Sequence, residues 1–507
     1  MSFVSINNNQ TIPLINIPIL EYEAFATEIN ALMIDPNNHC VQYFGYSVSN
    51  NTFQFFALIA DDGAGDIKIL SYQLDDPENM VVHSLSNAIP ALHIFEREIH
   101  ENIGLGFAGH PWLKPVRYAW NRIDKNKNLL NYPFYKLVGT ESHEVGLGPI
   151  HAGLIEPGYF RFSCYGETIH HLEITHGYQH RGIENLFLTK KSLLQRTVLS
   201  ESIAGDTVVS HAIAFVRNME QLYGIEENEK LSLVRTIASE LERIAIHVGN
   251  LSLVCQEIAY QLGSSVFGAL KTYVIDYVQL WCGNRLSKGL IRTGYNSYQL
   301  SIELRKSLIK VLDEFEMKYV EMSDAMFRLP SVQSRLEKTG IVTKEQARLT
   351  GSVGLAAKIT GIPRDIRTSH PYAYYKNVFY TPAIGKTGDA MAHAHIRDEE
   401  IKKSIRLIRY LVDDFEKHEH LDSETRPDLN KKKLAPSALS VSLTEGWRGE
   451  ICHVAITDNN SELVKYKIKD PSLHNWFSLA LALRENEISD FPLCNRSYDL
   501  SCCGYDL

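Results

Sequence analysis

Between about residues 183 and 420 the apolar residues of this chain recur three and four apart almost without interruption, and no other feature constrains its fold as strongly. The clearest run, SLVRTIASELERIAIHVGNLSLVCQEIAYQL at 232–262, has the length and period of one long helix. A helix with such a stripe must bury it, so several long helices are expected to pack together in the second half of the chain. At 507 residues the protein has room for two to four domains.

The flanking segments follow a different period. The runs FQFFALIA at 53–60 and DIKILSYQL at 66–74 alternate as strands do, and FEREIHENIG at 95–104 returns to helical spacing. Together they predict a small α/β module. The polar stretch NRIDKNKNLLNYP at 121–133 then interrupts the apolar pattern and marks a hinge. Within about 135–175, YFRFSCYG and TIHHLEI read as paired strands. LDSETRPDLNKKKL at 421–434 reads as a charged surface loop, and SALSVSL and EICHVAIT, within 435–457, as strands again. The expected architecture is α+β: a small N-terminal α/β domain over residues 1–125, then a mainly helical domain over 135–507 that carries a small β-sheet.

Composition excludes several function classes. Lys and Arg number 51 against 60 Asp and Glu, which leaves no basic stripe to neutralise a phosphate backbone, so no nucleic-acid partner is expected. The cysteines at 40, 164, 255, 282, 452, 494, 502 and 503 are too few and too irregular for a disulfide framework, which suits a reducing compartment. The first 25 residues carry no basic leader. No window approaches the roughly 18 to 20 apolar residues of a spanning helix, so a membrane role would have to come through other subunits.

FEREIHENIGLGFAGHPWLKPVRY at 95–118, with Glu96, Arg97, Glu98, Gly104, His110 and Pro111, resembles the signature of the smaller of two adjoining peripheral-arm subunits of respiratory complex I. Seven further strings follow in order: GPIHAGLIEPGYFRF (148–162), HGYQHRGIENL (176–186), ASELERIAIHVGNL (238–251), TGIVTKEQARLTGSVGLAAKITGIPRDIRTSHPYAYY (339–375), GDAMAHAHIRDEEIKKS (388–404), EGWRGE (445–450) and DPSLHNW (470–476). They are similar to the large partner subunit of complex I and, more closely, to the large subunits of energy-converting (group 4) nickel–iron hydrogenases of the hydrogenase-3/4 type. That family often fuses both parts in this order.

The resemblance also shows what is missing. The family holds nickel and iron with four thiolates from two Cys-x-x-Cys pairs, soft donors suited to that metal. Counting back from His211 sets the first pair on Ala204 and Thr207. Aligning SYDLSCCG with the family's Asp-Pro-Cys-x-x-Cys sets Asp499 on the aspartate and the second pair on Ser501 and Gly504. No thiolate stands at any of the four, and the adjacent Cys502 and Cys503 are a poor substitute. No metal is expected, and hydrogen activation is not.

In complex I the same cleft, also without the cysteines, receives a quinone head beside a 4Fe-4S cluster held by a separate small subunit. The resemblance implies that cluster in a partner and a quinone as a candidate occupant. The cleft loop supplies His151 and Glu156. A second histidine, found four residues after the first in complex I, is Ile155 here. Glu156 matches the Glu-Pro-Gly of the hydrogenase branch, where the carboxylate is implied in moving protons, and its alternative reading is a turn residue. His176 and His180 would share one face of a helix, with a structural or proton-relay role for His180; the doublet His170-His171 is given none. Asp206, Asp499 and Arg448 are expected to form a polar cluster in place of the metal, which Asp365 and Arg367 could join. The alternative is a set of ion pairs tying helices together. Glu242 and Arg243 read as interhelical ion-pair residues, and His247 as a histidine at the core edge.

Two functions follow. The chain is either a peripheral-arm subunit that passes electrons from the iron–sulfur subunit to a quinone or other carrier, coupled to ion movement in complex I- or antiporter-type membrane partners on the cytoplasmic face of the inner membrane, or a non-redox coupling subunit of an antiporter-like complex.

Overall fold

A computed structural model describes residues 2–139, 141–151, 155–429 and 432–507. Parts of the cleft loop (152–154) and of the charged loop (430–431) therefore lie outside the described residues.

The N-terminal sheet runs in the order Val4–Asn7, Asp66–Asp75, Thr52–Asp61, Asn38–Ser47, all antiparallel, with Ile19–Leu20 added in parallel beside Asp66–Asp75. Its central strand explains why FQFFALIA is apolar almost throughout. Phe55, Ala57 and Ile59 face the core beneath the helices Tyr22–Leu32 and His93–Ile103, whereas Phe56, Leu58 and Ala60 belong to the main core of the helical body. A strand buried on both faces has no solvent side to make polar.

Through that double burial the N-terminal sheet shares a continuous buried cluster with the helical body. The short strand Thr11–Pro13 also pairs antiparallel with Ala438–Ser440, extending a sheet whose order is Leu463–Lys469, Glu450–Thr457, Ala438–Glu445, Thr11–Pro13. Polar contacts cross the same join, a hydrogen bond between His39 and Glu450 at 2.6 Å and an ion pair of Arg364 with Asp62 at 2.9 Å. Residues 121–133 form an irregular segment whose one short turn, Leu129–Asn131, is capped by Asn128.

A three-stranded meander, Ser142–Leu147, Tyr159–Tyr165 and Thr168–Thr175, leads into the helices. The longest is Glu229–Glu257. The Asn228 side chain caps its start by accepting the Leu231 N–H, which satisfies one of the four unpaired donors of a helix end. Leu233, Ile237, Leu241, Ile244, Val248 and Leu251 form its stripe, packed between the helices Gln261–Cys282 and Ala390–Phe415. Truncating any of these leucines to alanine would cost about 2 to 5 kcal/mol.

Candidate functional site

Five of the six expected site residues, His151, Glu156, Asp206, Arg448 and Asp499, line one cavity of about 530 Å³, with Phe160, Trp476 and Phe491 among its apolar walls. His151 and Glu156 share the loop between Ser142–Leu147 and Tyr159–Tyr165, and the other three come from separate elements. Asp206 precedes the helix Val208–Tyr223, Arg448 sits in the turn between Ala438–Glu445 and Glu450–Thr457, and Asp499 ends the helix Phe491–Tyr498 in a left-handed conformation with φ 51°. The Arg448 turn is set by a close backbone approach. A Cβ on Gly354 would collide with the Arg448 carbonyl, and one on Gly449, at φ 138°, would collide with Gly354. Only glycine fits either position.

Arg448 organises the cleft. Its Nη1 and Nη2 donate to the two oxygens of Asp206 at 2.6 and 2.7 Å, Nη1 also to Thr207 Oγ1 at 3.1 Å, and Nε to the Asp499 carbonyl. The guanidinium lies over the Trp447 ring at 3.9 Å. Burial opposes its charge, but Asp206, with Asp499 and Asp470 also nearby, more than offsets it and holds the guanidinium ionised. Of its five N–H groups, one on Nη2 remains unused among the described residues.

On the opposite wall, Glu156 Oε2 accepts from Ser501 Oγ and from the Cys503 N–H, both at 2.9 Å. Its carboxylate also lies within hydrogen-bonding reach of the Cys503 thiol. His151 Nε2 donates to the Gly158 carbonyl at 2.8 Å, which ties the ring to its own loop. Burial raises the thiol pKa of both Cys502 and Cys503, and the nearby Glu156 adds to the effect, so neither is a thiolate at neutral pH.

The four positions that the sequence reading set against the family's metal-binding cysteines make other contacts. Ala204 is packed at 1% exposure, and Thr207 accepts from Arg448. Ser501 caps the turn Cys502–Asp506 by accepting the Gly504 N–H at 3.0 Å. A Cβ on Gly504 would lie 2.5 Å from Cγ of Asp470, whose carboxylate is held by His211 at 3.1 Å and by the Ser472 N–H at 2.8 Å.

Other expected residues fall elsewhere. Residues 176–182 form turns ahead of the helix Ile183–Thr189, so His176 and His180 share no helix face. His180 lines a separate cavity of about 300 Å³ at the join with the N-terminal sheet, and its Nδ1 donates to the Asp506 carbonyl at 2.7 Å. His176 packs against Tyr505 and Trp476; burial, with Arg97 and Arg117 nearby, lowers its pKa to about 3 and keeps it neutral. Asp365 and Arg367 do not line the cleft. They belong to a buried network in which Lys358 bridges Asp365 at 2.6 Å, Glu400 at 3.0 Å and Glu445 at 3.1 Å, while Arg367 pairs with Asp365 and Glu240. Glu242 makes no ion pair among the described residues. It accepts the Val209 and Ser210 N–H groups at the start of the preceding helix, Val208–Tyr223, and burial raises its pKa to about 7. His247 lies wholly inside the core, 2.8 Å from Glu400.

Sequence reading missed Lys358, Glu400 and Glu445. A signal existed in LAAKITG, where one lysine interrupts an apolar turn and therefore requires buried partners. Which carboxylates answer it is set by tertiary packing alone.

Comparison with known proteins finds similarity along most of the chain. Residues 23–125 match the family described as the respiratory-chain NADH dehydrogenase 30 Kd subunit, and residues 267–506 match the 49 Kd subunit family. Hydrogenase-4 component G of Escherichia coli is 25% identical over 467 residues, covering 89% of this chain and 80% of that protein. The alpha subunit of the membrane-bound hydrogenase of Pyrococcus furiosus is 26% identical, covering 71% and 86%. The C/D component of the NADH-quinone oxidoreductase of Bacteroides thetaiotaomicron is 25% identical, covering 76% and 78%. A unit of the complex I 30 kDa type and one of the 49 kDa type are thus fused in one polypeptide, whose relatives are hydrogenase and NADH-quinone oxidoreductase subunits.

Proposed function

We propose that the protein passes electrons from an iron–sulfur small subunit to a quinone or other carrier in the Arg448 cleft, coupled to ion translocation by membrane partners, without hydrogen chemistry. The observation that carries this reading is the Asp206–Arg448 pair at the place where the family binds nickel and iron. A metal centre does not fit these residues. Ala204 and Gly504 offer no side-chain donor, Thr207 and Ser501 offer hydroxyls already committed to hydrogen bonds, and the Asp470 carboxylate occupies the space a side chain at 504 would need.

A quinone fits better. When bound, it supplies a two-electron, two-proton acceptor. Phe160, Trp476 and Phe491 would hold its ring, and the unused N–H of Arg448 Nη2 would meet one oxygen. Asp499 and Glu156 are the carboxylates that line the cleft and would give or take a proton. The 4Fe-4S cluster belongs, in this reading, to the partner, and the complex sits on the cytoplasmic face of the inner membrane. Among the described residues no helix is long and apolar enough to cross a membrane, which agrees with attachment through other subunits.

One observation favours the non-redox coupling reading: His151 is bound to the Gly158 carbonyl and Ile155 takes the place of a second histidine, so the loop offers no uncommitted imidazole. Purification of the assembled complex from cells that express the nickel maturation machinery tests both readings. Sub-stoichiometric nickel, no dye-linked hydrogen uptake, and carrier reduction lost on Arg448→Met are expected. Stoichiometric nickel refutes the redox reading as stated, and a complex with no reducible cluster leaves the coupling role.

A further inference from the structure

A further cavity, of about 570 Å³, lies where three parts of the body meet, and it shares no lining residue with the Arg448 cleft. Its walls are the start of the helix Leu193–Ser200, the hairpin of Ile291–Arg292 and Tyr295–Asn296, and loop residues 426–429. The loop is seated on the hairpin. The Asn296 N–H donates to the Ser423 carbonyl at 2.7 Å, and a Cβ on Gly294, in the hairpin turn, would lie 2.8 Å from Pro427 Cγ. That seating brings Arg426 into the same lining as Lys191 and Arg292.

The lining is rich in donors that the fold does not use. Neither Lys191 nor Arg426 has an ion pair or a side-chain hydrogen bond among the described residues, and Arg292, whose Nη1 donates to Glu201 at 2.6 Å, keeps Nε and Nη2 uncommitted among them. The Ser192 hydroxyl caps no N–H of the helix it precedes, and the N–H groups of Leu193 and Leu194 find no acceptor among the described residues. Thr293 adds a buried donor: the residue is 3% exposed and its Oγ1 has no partner among the described residues. A hydroxyl left in that state is a cost that a ligand oxygen would remove. Among the described residues of the lining three cations stand against one carboxylate, Asp428, which has an interaction of its own. Guanidinium, ammonium, hydroxyl and main-chain donors in one cavity suit an acceptor-only anion with several oxygens, which describes a phosphate. Leu193, Leu194 and Pro427 supply apolar wall for the group that the phosphate carries.

We propose that this cavity binds a phosphate monoester, held by Lys191, Arg292 and Arg426 with the hydroxyls of Ser192 and Thr293. The phosphate is what the lining recognises, and it arrives either on a free ester or as the headgroup of an anionic lipid. No residue of the cleft takes part, so the site stands whether or not the redox reading does.

The test uses the full-length chain as wild type, Lys191→Gln, Arg426→Gln, Thr293→Val and Lys190→Gln. Calorimetric titration with inorganic phosphate and phenyl phosphate is set beside sedimentation with vesicles of phosphatidylcholine alone or mixed in equal parts with phosphatidate. Saturable binding of at least one phosphate probe is expected, weakened about tenfold by Lys191→Gln or Arg426→Gln, as the loss of one charge-assisted bond implies, and weakened also by Thr293→Val. Both cations are exposed, so these variants should melt with the wild type. Lys190 is exposed beside Lys191 but lies outside the lining, and Lys190→Gln should bind as the wild type does. Saturable phenyl phosphate binding with no preference between the vesicles assigns the site to a free ester. Sedimentation that requires phosphatidate and is lost with Arg426→Gln assigns it to a headgroup. No binding in any arm overturns the proposal, as does equal weakening by Lys190→Gln, which would mark general attraction to a basic surface. Wild-type affinity in either Arg426→Gln or Thr293→Val overturns it as well.

Discussion

Arg448 grips both oxygens of Asp206, at 2.6 and 2.7 Å, where the turn between two strands meets the start of the helix Val208–Tyr223. Two parallel N–H bonds fix orientation as well as distance, which a lysine cannot do. Asp206 is 39% exposed and solvent screens part of the attraction, so Asp206→Asn should cost about 1 to 2 kcal/mol, less than a fully buried pair. Urea denaturation of the isolated chain measures it. A loss under about 0.3 kcal/mol would mean the pair is fully screened.

Gly504→Ala should destabilise the chain by about 1 to 3 kcal/mol, because the added methyl must displace the Asp470 carboxylate from a site held by His211 and Ser472. Combining it with Asp470→Gly should recover part of the loss. Equal melting temperatures for wild type and Gly504→Ala would show that the Asp470 wall yields freely.

Glu156→Gln removes a titrating group while keeping one oxygen that can accept both the Ser501 hydroxyl and the Cys503 N–H, which already share Oε2. Stability should stay within about 0.5 kcal/mol and the complex should assemble. Ion-coupled turnover should fall. If proton uptake per electron in reconstituted vesicles matches the wild type, Glu156 serves only the turn.

Asp506 gives the fold a pH dependence opposite to that of an ordinary ion-paired carboxylate. Burial raises its pKa from 3.8 to about 7, although the Gln179 and Gly177 N–H groups favour its charged form. Below about pH 4 it is protonated in both folded and unfolded chains. As pH rises toward 7 the unfolded chain releases this proton first, so the contribution to stability declines, by at most about 1.4 kcal/mol per pH unit. Asp506→Asn should flatten the stability profile between about pH 4 and 7, and an unchanged slope in melting temperature against pH would assign the dependence to other groups.

The helices of the body were legible because period alone specifies them: the stripe from Leu233 to Leu251 needs no knowledge of its partners. The strands at 53–60 and 66–74 were equally legible, but their double burial was not, since an apolar run looks the same whether its second face meets one core or two. In the site, Arg448, Asp206 and Asp499 were reached through the aligned motifs. The wider charged network was not, because Lys358, Glu400 and Glu445 are brought together from positions 42 to 87 residues apart. His176 and His180 misled because a spacing of four has meaning only on a helix, and the chain turns there instead.

The pairing of Thr11–Pro13 with Ala438–Ser440 has a bearing on any attempt to divide this polypeptide. A cut within 121–133 would not yield two self-sufficient halves. The first fragment would carry away a strand that belongs to the sheet of the second, leaving the edge of Ala438–Glu445 bare. Recombined fragments would have to restore it by donor-strand exchange, lending a β-strand from one chain to another. Fusion therefore guarantees that the lender and the borrower are always present in equal numbers.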